Sequence, residues 1–274
     1  MVGNQYCSVK ASERPTNRPD YNVWLKENLD VAITETDRTH YEAAAAKIKY
    51  DFESSSFWQK LKKNLREYND KYVGSTAYPL LVNRDEIPEL KVKPWSSFVD
   101  KTYRENVVKN ANWPGPPGDG WIIPGNWYAR IHDIVRTTIV VKYLDGVSFL
   151  AEKLEALCGG GFDRCDWEAK EEGYYAAHLY VKQEFELPPA GFDTVRESVR
   201  IEIQITTQIQ EVIRKLLRKY YEEKRSKIVD VPGVIWQWDY RSEEFMANYL
   251  GHILHYVEGM IMEVRDKEGS HGEV

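Results

Sequence analysis

Residues 199 to 205 read Val-Arg-Ile-Glu-Ile-Gln-Ile. As a strand, this alternation sends four branched apolar side chains to one face and Arg200, Glu202 and Gln204 to the other. The polar face has two readings: wet surface, or a carboxylate and an amide held rigid for chemistry by the apolar ladder behind them. A second acidic group, Asp133, stands just before a β-branched run and follows His132. A His-Asp pair is also the mark of a metal hydrolase, but such a site needs further His and Asp ligands in order. The remaining histidines, His40, His178, His252, His255 and His271, show no such order, so His132 reads as incidental. His252, His255 and Glu258 lie at steps of three. With Leu250, Ile253, Leu254, Val257 and Ile261 among them, they read as a packed helix face against the sheet or a second subunit, not as a metal face. Between 213 and 227 come Arg214, Lys215, Arg218, Lys219, Lys224, Arg225 and Lys227, opposed by Glu222 and Glu223. That basic stripe is either a solvated helix face or a dock for polyanionic RNA.

The elements that must position these groups follow from periodicity. Residues 1–20 lack a pattern and read as a flexible arm. From Tyr21 to Tyr72 the spacing is helical, with Asp20 as N-cap and further segments at Tyr41 to Phe52 and Phe57 to Tyr68, giving a helical layer over 21–84. A core over 85–230 follows. It begins with a helix from Trp95 to Lys109, started near Ser96 or Ser97, and a Pro/Gly-rich loop over 110–126 that is long enough to act as a lid. Strands are expected at Arg136 to Tyr143, Tyr174 to Leu187 and Val199 to Ile205, helices at Ser148 to Cys158 and Gln208 to Lys227, and a loop from Gly159 to Glu172. Residues 231–274 hold an aromatic stretch, Trp236 to Tyr240, expected to thicken the core, and a last helix from Ser242 to Arg265.

Composition sets the outer limits. A chain of 274 residues with 42% hydrophobic content buries a sizeable core. Its 37 basic and 43 acidic residues leave a net charge of -6, which argues against a dedicated duplex-DNA binder. The sequence shows neither a membrane-length apolar run nor a signal-peptide core, so a cytoplasmic protein without a membrane partner is expected. Cys7, Cys158 and Cys165 form no CxxC pair and read as free thiols.

Three signals occur in order: Asp133-Ile134 opening a strand, Gly-Tyr-Tyr-Ala-Ala-His at 173–178, and Glu-Ile-Gln-Ile-Thr-Thr at 202–207. Ahead of them, Lys91, Lys93, Ser97 and Lys101 fall at steps of two, four and four, and Lys170 lies three before Gly173. Together these resemble the synthetase domain of the RelA/SpoT family of alarmone synthetases, over about residues 85 to 225. The resemblance is to the small stand-alone members, because nothing matches the family's hydrolase or regulatory domains. It implies an α/β (α+β) fold, with a mixed, mainly antiparallel sheet of about five strands flanked by helices, of the nucleotidyltransferase-like kind.

The activity so implied is transfer of the β,γ-pyrophosphate of ATP to the 3′-hydroxyl of GDP or GTP, with Mg²⁺ as cofactor. Lys91, Lys93, Ser97 and Lys101 would then contact donor phosphates. Asp133 would be a magnesium ligand, and Glu202 a second ligand or the base for the acceptor hydroxyl. Gln204 would hold Glu202 or touch the acceptor, Lys170 would bind the acceptor, and Tyr174 would stack on its base. His178 would meet acceptor phosphate or be a core histidine. Two departures touch the donor side: Thr138 stands where the family has an adenine-stacking arginine, with Arg136 as a nearby substitute, and Lys91 stands where it usually has arginine. Toxic members pyrophosphorylate the 3′ end of tRNA, others make adenosine alarmones, and a scaffold without catalysis would only bind nucleotide. Those readings stay open, with tRNA (through Arg214, Lys215, Arg218 and Lys219), an antitoxin or a second copy as further partners.

Overall fold

A computed structural model describes residues 13–84, 87–188, 195–218, 220 and 236–270. Its centre is a five-stranded sheet in the order β1-β2-β5-β4-β3, made of β1 (Lys91–Val92), β2 (Val135–Val141), β3 (Phe162–Ala169), β4 (Tyr175–Leu187) and β5 (Val195–Thr207). Only β2 and β5 run parallel; the other neighbours are antiparallel. The mixed, mainly antiparallel α+β fold expected from the sequence is the one observed.

The alternation that predicted β5 also orients it. Ile201, Ile203 and Ile205 are fully buried, and each contributes on the order of 1.5–3 kcal/mol by leaving water. They join one apolar cluster with Ile139 and Val141 of β2, Leu179 and Val181 of β4, and the helices behind the sheet. Those helices are α2 (Glu35–Glu53), α3 (Ser56–Thr76) and α6 (Leu144–Cys158). Local signals start two of them: Thr34 and Asp37 form a reciprocal capping box at α2, and the Ser55 side chain accepts from the Trp58 amide at α3. Helix α1 (Arg18–Leu29) is capped by Asn17, not Asp20. Asp20 sits three residues on, where its carboxylate accepts from the Asn17 side-chain amide at 2.7 Å and favours the helix dipole.

Helix α4 (Trp95–Tyr103) follows Pro94 without a side-chain cap and passes into a π-helical turn at Arg104–Val108. The helix expected over 95–109 therefore changes register half-way. Next comes the Pro/Gly-rich stretch, which packs instead of hanging loose. Trp113 and Trp121 lie 4.7 and 5.0 Å from Trp24 of α1, and the Asn106 side chain both donates to the Ile122 carbonyl and accepts from its amide. Residues 13–17 are tied to the same region, where Tyr103 donates to the Pro15 carbonyl and Arg14 to that of Asn110.

The loop expected over 159–172 is instead strand β3. This edge strand, Phe-Asp-Arg-Cys-Asp-Trp-Glu-Ala, has no β-branched residue and no fully buried side chain, so it carries neither the propensity nor the burial pattern of a central strand. A short helix α5 (Trp127–Arg130) precedes β2, and α7 (Gln208–Leu216) follows β5. The longest helix, α8 (Glu243–Ser270), runs back across α7 and α6. It is pinned by Arg265, whose guanidinium donates to both Asp145 carboxylate oxygens and to the Tyr72 hydroxyl at 2.7–3.1 Å. Of the aromatic stretch before it, Trp238 is 82% exposed and adds nothing to the core. Cys158 and Cys165 are free, and Cys7 lies outside the described residues. Among the described residues no helix is long and apolar enough to cross a membrane.

Candidate active site

Register across the sheet assembles one polar face. Lys91, Arg136, Glu202, Tyr180 and Arg164 are successive cross-strand partners from β1 to β3, and Thr138, Gln204, His178 and Asp166 form the next row. Period-two alternation puts both rows on the side opposite the isoleucines. Groups spread over more than a hundred residues of sequence thus meet on a surface whose far side is a rigid core.

Asp133 lies at the mouth of β2, nine-tenths buried and clamped from both sides. Lys93 Nζ is 2.7 Å from Oδ2 and Lys101 Nζ 2.8 Å from Oδ1, with Arg136 at 4.0 Å. Burial opposes its charge, but the two ammonium groups win and hold the carboxyl well below the usual range. Lys93 shifts the other way. Its own burial outweighs its single carboxylate partner, and Lys101 and Arg136 repel it, so its affinity for its proton falls. The unequal outcome follows from numbers: Asp133 has two cations beside it, Lys93 only one anion.

Glu202 is held by side chains. His178 Nδ1 is 3.0 Å from Oε1, which also accepts from the Tyr180 hydroxyl at 3.3 Å, while Oε2 accepts from the Gln204 amide at 3.1 Å. Thr138 donates to the Gln204 carbonyl at 3.2 Å, which turns the amide nitrogen toward Glu202. On the other side Tyr174 meets His178 Nε2 at 3.0 Å. With the imidazole proton on Nδ1 facing the carboxylate, Nε2 accepts from the tyrosine. Burial pushes the Glu202 carboxyl up, His178 and the Lys101 ammonium pull it down, and the net direction is downward, so Glu202 stays ionised. Asp133 and Lys101 both act on it electrostatically, placing the two acidic groups in one field.

The turn before β4 completes the cluster. Lys170 Nζ lies 5.5 Å over the Tyr174 ring and 3.4 Å from Glu168. Gly173, at φ +76°, supplies the left-handed turn between them. A Cβ there would come within 2.7 Å of the Asn248 carbonyl and 2.9 Å of Gly251 Cα, so α8 crosses this turn backbone on backbone. Tyr175 stacks on His255 with centroids 3.6 Å apart, and its hydroxyl meets His252 Nδ1 at 2.8 Å. The histidines of α8 are packing groups, as their spacing suggested, and they brace the turn that carries Tyr174.

Other placements depart from expectation. His132 is not incidental: its two nitrogens lie 3.3 Å from Arg164 and 3.3 Å from Arg200, and its ring sits edge-on to Tyr180. Burial first, then the two arginines, push its pKa down to about 4, so the ring is neutral and adds no charge. Arg164 and Tyr180 belong to the polar face but were missed, while Arg200 was read onto it by alternation but given no role. Tyr180 was within reach, an even step from His178; Arg164 was hidden by the unread strand. Ser97 and Lys91 are exposed, Ser97 one turn from Lys101 on α4. In the basic stripe, Arg214 forms a two-pronged pair with Glu211 at 2.7 and 2.8 Å, and Lys215 reaches the same carboxylate at 3.3 Å. Arg214 and Tyr174 also act on each other electrostatically. Lys219, Lys224, Arg225 and Lys227 lie outside the described residues.

Two ionised carboxylates without sulfur ligands suit a hard, oxygen-loving ion such as Mg²⁺, which keeps waters and completes its shell with substrate phosphates. Among the described residues no three His, Cys, Asp or Glu side chains converge to hold a metal by themselves.

No family model and no curated protein matches the chain. Solved structures do. Small alarmone synthetase 1 from Bacillus subtilis aligns with a TM-score of 0.51 at 17% identity, over 77% of this chain and 92% of that one. The same enzyme bound to its product pppGpp aligns equally well, at 18% identity over 77% and 92%. A protein from Streptococcus mutans UA159 gives 0.50 at 15% identity, over 81% and 98%. The architecture built around Asp133 and Glu202 is therefore the fold of the small alarmone synthetases.

Proposed function

We propose that the protein is an ATP-dependent pyrophosphokinase that transfers the β,γ-pyrophosphate of ATP to the 3′-hydroxyl of GDP or GTP, making (p)ppGpp. The observation that carries this reading is the fixed Glu202, hydrogen-bonded from both sides and kept ionised in the field of a lysine-clamped Asp133. A buried carboxylate so constrained is suited to accept a proton from a weakly acidic hydroxyl. In the proposed step Glu202 takes the 3′-hydroxyl proton and the freed oxygen attacks the β-phosphorus. The bond from that phosphorus to the α,β-bridging oxygen breaks, and AMP leaves with the bridging oxygen.

Lys93 and Lys101 neutralise the donor phosphates, with Lys91, Ser97 and Arg136 at the outer edge of the same face. Asp133 and Glu202 are the residues that would hold Mg²⁺, which when bound stabilises charge on the phosphate oxygens. On the acceptor side Tyr174 offers its ring to the base and Lys170 addresses the phosphates, while His178, with Nδ1 toward Glu202 and Nε2 toward Tyr174, positions both. Thr138 orients Gln204 and, through it, Glu202.

The test is incubation with labelled ATP and, separately, GDP, GTP, adenosine nucleotides or deacylated tRNA. A 3′-pyrophosphorylated guanosine nucleotide is expected. Transfer only to adenosine nucleotides or tRNA would replace the acceptor, and no transfer to any would refute the enzyme reading. If tRNA is used, alanines at Arg214, Lys215, Arg218 and Lys219 should weaken that transfer selectively.

A further inference from the structure

His132 is placed between two groups that it cannot both satisfy. Its Nδ1 lies 3.3 Å from Arg164 Nη2 and its Nε2 lies 3.3 Å from Arg200 Nη1. A guanidinium only donates, whereas an imidazole offers one lone pair when neutral and none when charged. In either protonation state at least one arginine therefore points N–H at N–H. The guanidiniums are held there by other pairs. Arg164 Nε donates to Asp166 at 2.9 Å, Arg200 Nε donates to Asp163 at 3.0 Å, and Arg164 also lies 4.4 Å over the Tyr180 ring.

An oxyanion would resolve the mismatch, because phosphate oxygens carry lone pairs enough to accept from both forks at once. The local charge agrees. Asp163 and Asp166 offset the two arginines, and Lys182, the exposed cross-strand partner of Arg200 on the same face, adds a further positive charge. The cluster is also within reach, the Arg164 and Arg200 side chains being 40% and 24% exposed. Position then selects the ligand. His132 directly precedes the lysine-clamped Asp133, and Lys101 acts on its ring electrostatically. Tyr174, where the acceptor base would lie, is six residues before Tyr180 and meets Glu202 through His178. An acceptor entering from that end leaves the far side of Glu202 to the donor, since attacking and leaving oxygens lie roughly in line.

We propose that Arg164 and Arg200, with His132 between them, form a phosphate subsite for the donor's polyphosphate chain, whose oxygens take over the N–H groups that the imidazole cannot accept. The identity of the ligand rests on the pyrophosphokinase reading; the mismatch itself does not. The subsite extends the line of cations begun by Lys93 and Lys101.

Equilibrium titration with α,β-methylene-ATP, which cannot transfer, and separately with GDP, each with Mg²⁺, tests it. Arg200→Gln and Arg164→Gln are each expected to weaken the ATP analogue at least about tenfold and GDP by less than about twofold, with circular dichroism unchanged. Asp163→Asn removes the carboxylate that the arginines share and should tighten the analogue or leave it unchanged, which separates a ligand contact from lost packing. A wild type that does not bind the analogue, arginine variants that bind it normally, a loss confined to GDP, or a weakening by Asp163→Asn would each overturn the proposal. The titration needs no turnover, so a failed transfer assay refutes the pyrophosphokinase while binding alone decides the subsite.

Discussion

Gly251 sits inside a helix, where replacement by alanine ordinarily stabilises by about 1 kcal/mol. Here the opposite is expected. A Cβ at 251 would lie 2.4 Å from the Gly173 carbonyl oxygen and 2.9 Å from its carbon, and both are backbone atoms that no rotamer change can move aside. Overpacking against a fixed backbone partner costs up to about 3 kcal/mol and outweighs the helix gain, so Gly251→Ala should be less stable by up to about 2 kcal/mol. The strain has one direction of relief: α8 and the 170–174 turn must separate, loosening the Tyr175–His255 stack and moving Tyr174 and Lys170. Urea denaturation should therefore show a lowered midpoint, and steady-state kinetics a raised KM for the acceptor with KM for ATP little changed. A variant more stable than wild type, or one equally perturbed toward both substrates, would refute the close-crossing argument.

Three further outcomes are expected. Glu202→Gln and Asp133→Asn should each lower turnover at least about a hundredfold while circular dichroism shows a folded protein; near-normal activity would mark that residue as structural. Thr138→Val should lower kcat by about tenfold with KM for ATP unchanged, because it frees the Gln204 amide to turn from Glu202; a change confined to ATP binding would return Thr138 to the donor site. His132 is buried neutral, with its pKa pushed down to about 4 from an ordinary value near 6.5. Its contribution is thus full above about pH 6.5 and lost as pH falls toward 4. Thermal melts over that window should reveal about 1–2 kcal/mol of loss after solvent screening, and His132→Asn should flatten the profile. A variant with the wild-type slope would exclude His132 as the source.

What was legible in the sequence depended on whether a segment's own pattern matched its burial. The isoleucines of β5 alternate and are buried on one side, so strand and polar face were both readable, and Glu202 with them. Asp133, Lys93 and Lys101 were singled out by the resemblance of their motifs to those of a known family and do meet, although only folding could show that both lysines settle on one carboxylate. Strand β3 was lost because an edge strand of Phe, Trp and charged residues has no periodic apolar signal, and Arg164 and Asp166 were lost with it. His132 was set aside as incidental, and its packing between two arginines depends on β3 and β5 and was not visible from neighbours in sequence. The capping of α1 by Asn17 was a contest between two good caps that backbone geometry decided.

The resting ion cluster has a thermodynamic consequence. Each oxygen of Asp133 already holds an ammonium group, so a divalent cation alone must displace a satisfied partner, and a polyphosphate alone must draw Lys93 and Lys101 off their carboxylate. Arriving together they would exchange partners without stranding any charge, the lysines taking the phosphates and the carboxylate helping to hold the metal. On the proposed function, ion and nucleotide should then bind with positive linkage, each raising the other's affinity by the same factor. Titrating either ligand at several fixed concentrations of the other would measure that factor directly.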